Sequence, residues 1–250
     1  MTERTAYVAG TGPLTYPRVL REAWGMFRQH YRRVALVALL LFVPPQIVVA
    51  GLGAVRLDLE TDPDLLRGLG YVIGLLMVAP ARLLGPVVFA GYLDEAVGQE
   101  YFQERRTNLS TVLRTLPWGR LLGADLILVI GTVVGLAAFI LPGLIWLTLL
   151  GLVGPVIVQE RRGLLDGFGR TLEISRGAAK MIFFLVVVAL AGETLVHELV
   201  HQSFHHAPFW LEVTASWLVS AVIGGIVGLV EVALATELMA RIPGPPSPTR

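Results

Sequence analysis

The residues whose types and spacing most directly suggest chemistry are His197-Glu198-Leu199-Val200-His201. Helical residues four apart share a face, so both imidazoles would point the same way. In zinc proteases this spacing supplies two metal ligands, and the glutamate between them acts as general base. Glu193 stands four residues before His197 and offers a further donor on that stripe, and His205, His206 and Glu212 follow closely. The candidate metal ligands are therefore His197, His201 and Glu193, with Glu198 as the alternative catalytic base and zinc as the alternative cofactor.

Three readings of this cluster stand side by side. The plainest is a set of interfacial histidines with no cofactor. The second is a non-catalytic metal or proton-responsive site, since histidine titrates near neutrality. The third is a metalloprotease, for which no characteristic third-ligand extension follows: Phe204 and Ala207 occupy the places where a metzincin has glycine and histidine. Asp166 sits in Leu-Leu-Asp-Gly, a sequence like one in intramembrane metalloproteases, but the topology derived below puts it across the membrane from the histidines.

A second group is ionic. Arg82, Asp125 and Glu231 fall inside apolar runs. A central arginine costs on the order of 2.5–3.5 kcal/mol to insert, so Arg82 calls for a partner. Glu231 is at similar depth, and Asp125 is nearer the cytoplasm. A buried ion pair that fixes helix register is the plain reading. A polar path for an ion or a lipid headgroup is the functional one.

These residues need elements that a bilayer can hold. Hydrophobic residues form 54% of the chain and charged residues 16%; soluble domains carry about 25% charged residues. There is no cysteine, which excludes disulfides, thiolate metal sites and cysteine nucleophiles. No Walker-type loop or dinucleotide fingerprint is present, and the basic residues sort by topology, so no nucleic-acid partner is expected. Lys180 is the only lysine; an Arg-, Ala-, Gly- and Leu-rich composition suggests a high-GC bacterial source. The first long apolar run begins at Val34, too late for a cleavable signal peptide.

Val34 to Val55 is long enough to cross about 30 Å of hydrocarbon, with a kink expected at Pro44-Pro45. A second run extends from about Gly68 to Val97. Leu126 to Val158 contains no charge, and as one helix it would be about 50 Å long. Arginines flank both its ends, which favours the cytoplasm for both. The spacing therefore predicts two short spans turning at Leu141-Pro142-Gly143. Met181–Val200 and Val213–Ala240 supply the last two spans. Arginines concentrate in the proposed inside segments, while the outside loops hold only Arg56 and Arg67.

Each pair of spans is preceded by an amphipathic stretch: Leu20, Ala23, Trp24, Phe27 and Tyr31; Leu109, Val112, Leu113 and Leu116; and Leu164, Leu165, Phe168 and Leu172, with arginines opposite. Gly85-Pro86-Val87-Val88 is echoed by Gly154-Pro155-Val156-Ile157. The expected fold is all-α: a polytopic membrane bundle of six transmembrane helices in three hairpins, with short cytoplasmic interfacial amphipathic helices. Residues 1–33 form the N-terminal cytoplasmic segment, 34–241 the membrane domain, and 242–250 a disordered, proline-rich cytoplasmic tail.

Leu141-Pro-Gly-Leu-Ile-Trp-Leu, Gly154-Pro-Val-Ile-Val-Gln-Glu160 and Gly163-Leu-Leu-Asp-Gly-Phe-Gly-Arg170-Thr-Leu-Glu-Ile-Ser-Arg-Gly177 give a more specific lead. With Glu22-Ala-Trp24 and Phe27, this stretch resembles the bacterial six-helix inner-membrane family that includes the membrane domain of some glycerophosphodiester phosphodiesterases. Thr171 and Leu172 depart from that family's usual Ser and Trp. The resemblance implies a plasma-membrane, multi-pass protein and no settled catalytic residues. The expectation is a non-enzymatic protein with a structural, interaction or envelope-maintenance role. Its partners would be the lipid bilayer and other membrane proteins. A zinc-dependent membrane protease and a small transporter using Arg82, Asp125 and Glu231 are the alternatives.

Overall fold

The computed structural model describes residues 12–43, 86–103, 109–204 and 208–242. Every regular element among them is helical. In chain order these are α1 (Tyr16–Leu41), α2 (Pro86–Leu93), a π-helical turn (Asp94–Gly98), α3 (Gln99–Gln103), α4 (Leu109–Thr115), α5 (Trp118–Ala138), α6 (Ile140–Leu150), α7 (Val153–Gln159), α8 (Leu164–Arg176), α9 (Ala179–Phe204) and α10 (Phe209–Arg241).

Four stretches among the described residues are long and apolar enough to cross a membrane: α5, the α6–α7 run Ile140–Gln159, α9 and α10. Much of the first expected span, most of the second, the Pro44-Pro45 kink, Arg82 and the proline-rich tail after Ile242 lie outside the described residues.

Helix α1 begins with Pro17 in its first turn, where a missing N–H costs nothing. It then runs through Arg33 without ending, so the expected boundary between an amphipathic segment and a span is only a local distortion at His30 (φ −124°, ψ 18°). Its buried stripe is Val19, Ala23, Met26, Val34 and Ala38. Of the expected amphipathic stripe, Ala23 is buried and Phe27 packs against the core, while Leu20, Trp24 and Tyr31 are exposed. The small Ala23 and the flexible Met26 thus lie on the buried side of a helix that packs against α10.

Helix α8 follows its expected stripe in part. Leu164, Phe168 and Leu172 of the expected stripe pack against the core, but Leu165 is exposed, and Gly167, Arg170, Thr171 and Ile174 are buried. Arg170 was expected on the solvent side; it goes inward because acidic partners and a main-chain carbonyl receive it there.

The turn between α5 and α6 also differs from expectation. The chain breaks at Phe139, which is extended (φ −163°, ψ 150°), and Pro142 lies within the first turn of α6. There the proline is tolerated for the same reason as Pro17. The two helices run back along one another. Gly135 and Gly143 approach backbone to backbone, and Gly131 lies under the Trp146 ring.

Helix α10 is the centre of the assembly and packs against α1, α2, α7 and α9. Gly225 receives Val34 and Ala38 of α1, and Gly228 receives Phe89 and Leu93 of α2. The largest fully buried side chains include Phe89, Met26, Leu93, Leu121, Ile157 and Leu229. By contrast, only Ile182 is buried along α9, and its many exposed apolar residues suit contact with lipid.

Helices α2 and α7 carry the echoed Gly-Pro-Val phrases and cross each other. At the crossing Gly154 lies against the Val87 carbonyl, so close that a Cβ would collide with the oxygen. Gly91 lies beside Val158 in the same contact. The sequence echo thus marks a place where two backbones meet.

Candidate functional site

Glu193, His197, Glu198 and His201 all lie in the last turns of α9, beside the first half of α10. His197 Nε2 is 3.1 Å from Ser220 Oγ and 3.9 Å from Glu193 Oε1. His201 Nδ1 instead contacts Glu212 Oε1 at 2.7 Å. Glu198 Oε1 accepts a bond of 2.9 Å from Gln202 on its own helix. Ser220 and Glu212 stand more than two turns apart on α10, so each imidazole ties α9 to a different level of its neighbour. Among the described residues no three His, Asp or Glu side chains converge as metal donors. His205 and His206 lie outside those residues.

Beneath His197 the bundle encloses a cavity of about 160 Å³. Its walls are mostly apolar, from Phe42, Val87, Phe89, Leu128 and Leu147 among others. Four polar residues also line it: Glu193 and Ser220 at the histidine end, Thr132, and Glu231. Thr132 Oγ1 bonds the Leu128 carbonyl at 2.7 Å, a common way to hold a hydroxyl inside an apolar helix. Asp125 of α5 is buried near Glu231, and its Oδ1 accepts from the Val87 amide at 3.3 Å. Of the expected ionic trio, Asp125 and Glu231 are therefore neighbours. The expected Arg82–Glu231 pair lies outside the described residues.

A second polar region occupies the opposite end of α9 and α10. Asp94 is fully buried in the π-helical turn, and π-helical turns recur at functional sites. Gln159 of α7 donates to Asp94 and, at 2.8 Å, to Thr236 of α10. Glu95 accepts from Gln99 one turn on. Nearby, Arg170 binds Glu160 at 3.0 Å, Glu173 at 2.9 Å and the Ile242 carbonyl. Glu160 also holds Arg162. Burial opposes the Arg170 charge, but the hydrogen bonds and charges of Glu173 and Glu160 outweigh it and raise its pKa further. The fully buried Glu237 receives Arg18 at 2.8 Å and Arg241 at 3.2 Å.

Sequence reasoning missed this region because its members come from several segments far apart in the chain. One signal did point to it: Asp94 and Gln159 follow the two echoed phrases, and the crossing of those phrases brings them together.

The rim of this end holds another cavity, of about 480 Å³, between the start of α5 and the end of α7. Trp118, Gly119, Arg120, Arg161 and Glu95 are among its lining residues. Arg120 Nη1 donates to the Arg162 carbonyl at 3.1 Å and the Arg161 carbonyl at 3.4 Å. Arg161 has φ 50°. This left-handed conformation costs an ordinary residue about 1–2 kcal/mol.

Comparison with protein-family models, curated proteins and solved structures finds no match for the chain.

Proposed function

We propose that the chain is a non-enzymatic, multi-pass protein of a bacterial inner membrane that maintains or organises the envelope through lipid and protein contacts. In this reading six spans form three hairpins with both ends in the cytoplasm, as the arginine distribution and the resemblance to the six-helix family suggest. Four apolar helices and their exposed apolar faces support the membrane setting. The observation that carries the non-enzymatic reading is the split between His197 and His201. One imidazole bonds Ser220 and the other Glu212, so both act as ties between α9 and α10.

The test is metal analysis and proteolysis assays on purified protein and on Glu198→Gln. Sub-stoichiometric zinc and no Glu198-dependent cleavage are expected. Stoichiometric zinc lost in His197→Ala, together with cleavage abolished by Glu198→Gln, would overturn the proposal in favour of a metalloprotease.

One specific observation favours a second reading, a small transporter. The cavity carrying Glu231 reaches Glu193 and Ser220 at one end and lies near Asp125 at the other. Such a row of oxygens inside a bilayer suits a small cation or a proton. Ion flux in reconstituted vesicles that depends on Glu231 would establish this reading.

A further inference from the structure

We propose that the cavity between the start of α5 and the end of α7 binds the headgroup of a zwitterionic phospholipid, with its phosphate on Arg120 and Arg161 and its ammonium group facing Glu95. The proposal rests on the membrane setting proposed above and names a ligand for one of its surfaces.

The location comes first. Trp118 opens α5 and Gln159 closes the α6–α7 run, so the cavity lies where two apolar stretches end and the headgroup layer begins. Trp118 is a typical residue for that depth. Its Nε1 donates to the Leu113 carbonyl at 2.7 Å, which fixes the ring and links α4 to the start of α5.

Size and charge come next. About 480 Å³ lies within the usual range for small-molecule sites. Two guanidinium groups and one carboxylate line it, which matches a phosphate joined to an amine. Arg120 is held by the Arg161 and Arg162 carbonyls and keeps donors to spare, since a guanidinium carries five N–H groups. The Arg161 side chain has no hydrogen-bond or ion-pair partner among the described residues. Its backbone is in the left-handed region that favours glycine, yet the position holds arginine. Strained backbone of this kind recurs at ligand sites.

The acyl chains decide between a lipid and a free phosphate compound. Trp118, Leu122, Leu126 and Ile130 follow one another at intervals of four along α5, and all are exposed. This apolar stripe leads from the cavity rim down the helix. A membrane lipid can occupy both the charged cavity and the stripe, whereas a soluble phosphate uses only the cavity.

The test uses full-length protein in detergent, with lipid retention read by native mass spectrometry after addition of phosphatidylethanolamine or phosphatidylglycerol. Wild type should retain phosphatidylethanolamine preferentially. Arg161→Gly should lower its occupancy about tenfold, the loss expected for one charge-assisted contact. The same substitution relieves the left-handed strain, so thermal stability should hold or rise and unfolding cannot explain the loss. Equal retention of phosphatidylglycerol, or unchanged occupancy in Arg161→Gly, would overturn the proposal. Binding of phosphoethanolamine alone as tightly as the whole lipid would overturn it too, in favour of a soluble ligand. Resistance of the membrane-bound protein to alkaline extraction separately checks the membrane setting.

Discussion

Arg18 in the first turn of α1 and Glu237 near the end of α10 form an ion pair of 2.8 Å across 219 positions of sequence, with the Glu237 side chain fully buried. Arg241 reaches the same carboxylate from one turn further along α10. Breaking a buried pair by removing one partner leaves a charge uncompensated and costs about 3–5 kcal/mol. Arg18→Ala should cost less than Glu237→Ala, because Arg241 still faces the carboxylate. A double-mutant cycle on thermal or denaturant unfolding in detergent checks this, and strict additivity would contradict the coupling.

The crossing of α2 and α7 depends on Gly154. A side chain there collides with the Val87 carbonyl, which is backbone and cannot swing aside. Gly154→Val should destabilise by at least the roughly 1–3 kcal/mol typical of overpacking. Gly169→Ala is the control, because a Cβ at Gly169 meets open space. Its melting temperature should be unchanged or slightly raised, since alanine favours the helix.

Pro142 is expected to be dispensable. It lies in the first turn of α6, and the chain reverses at Phe139. Pro142→Ala should change stability by less than about 1 kcal/mol. A loss of several kcal/mol in the same unfolding assay would return the turn to Pro142-Gly143.

Acid should weaken the link between α1 and α3. Glu100 lies 2.7 Å from Arg33 and 3.6 Å from His30. Burial pushes its carboxyl up, but the Arg33 hydrogen bond and charge, with those of His30, outweigh burial and hold it below the usual value. A carboxyl with a lowered folded pKa stabilises fully above its unfolded pKa, about 4.3. The benefit fades as pH falls through the folded pKa. Melting temperatures of wild type and Glu100→Gln should therefore differ at neutral pH and draw together as pH falls through the lowered folded pKa.

The apolar runs of α5, α6–α7, α9 and α10 were legible in the sequence because length and lack of charge decide them. The α5–α6 reversal was legible too, through the uncharged stretch with arginines at both ends, but its turn was placed three residues late. Pro-Gly signals a break, and the early position of Pro142 in α6 hides it. The amphipathic stripes were harder to read. Val19 and Met26 are buried and Leu20 and Trp24 exposed, because bulk alone does not say which side of an amphipathic helix faces protein. Periodicity could not reveal that Arg170 is buried, since its partners Glu160 and the Ile242 carbonyl lie on other segments. The histidine motif was visible at once. Its division between Ser220 and Glu212 depends on the register of α9 against α10, which four-residue spacing does not encode.

The single-residue reversal at Phe139 also bears on how the chain is made. Phe139, Ile140 and Leu141 form a tip with no charge, and all three are exposed. In the proposed membrane setting, a helix pair with such a tip would carry no ionic group at its leading end. Its two halves can partition into lipid together, with their backbone bonds satisfied.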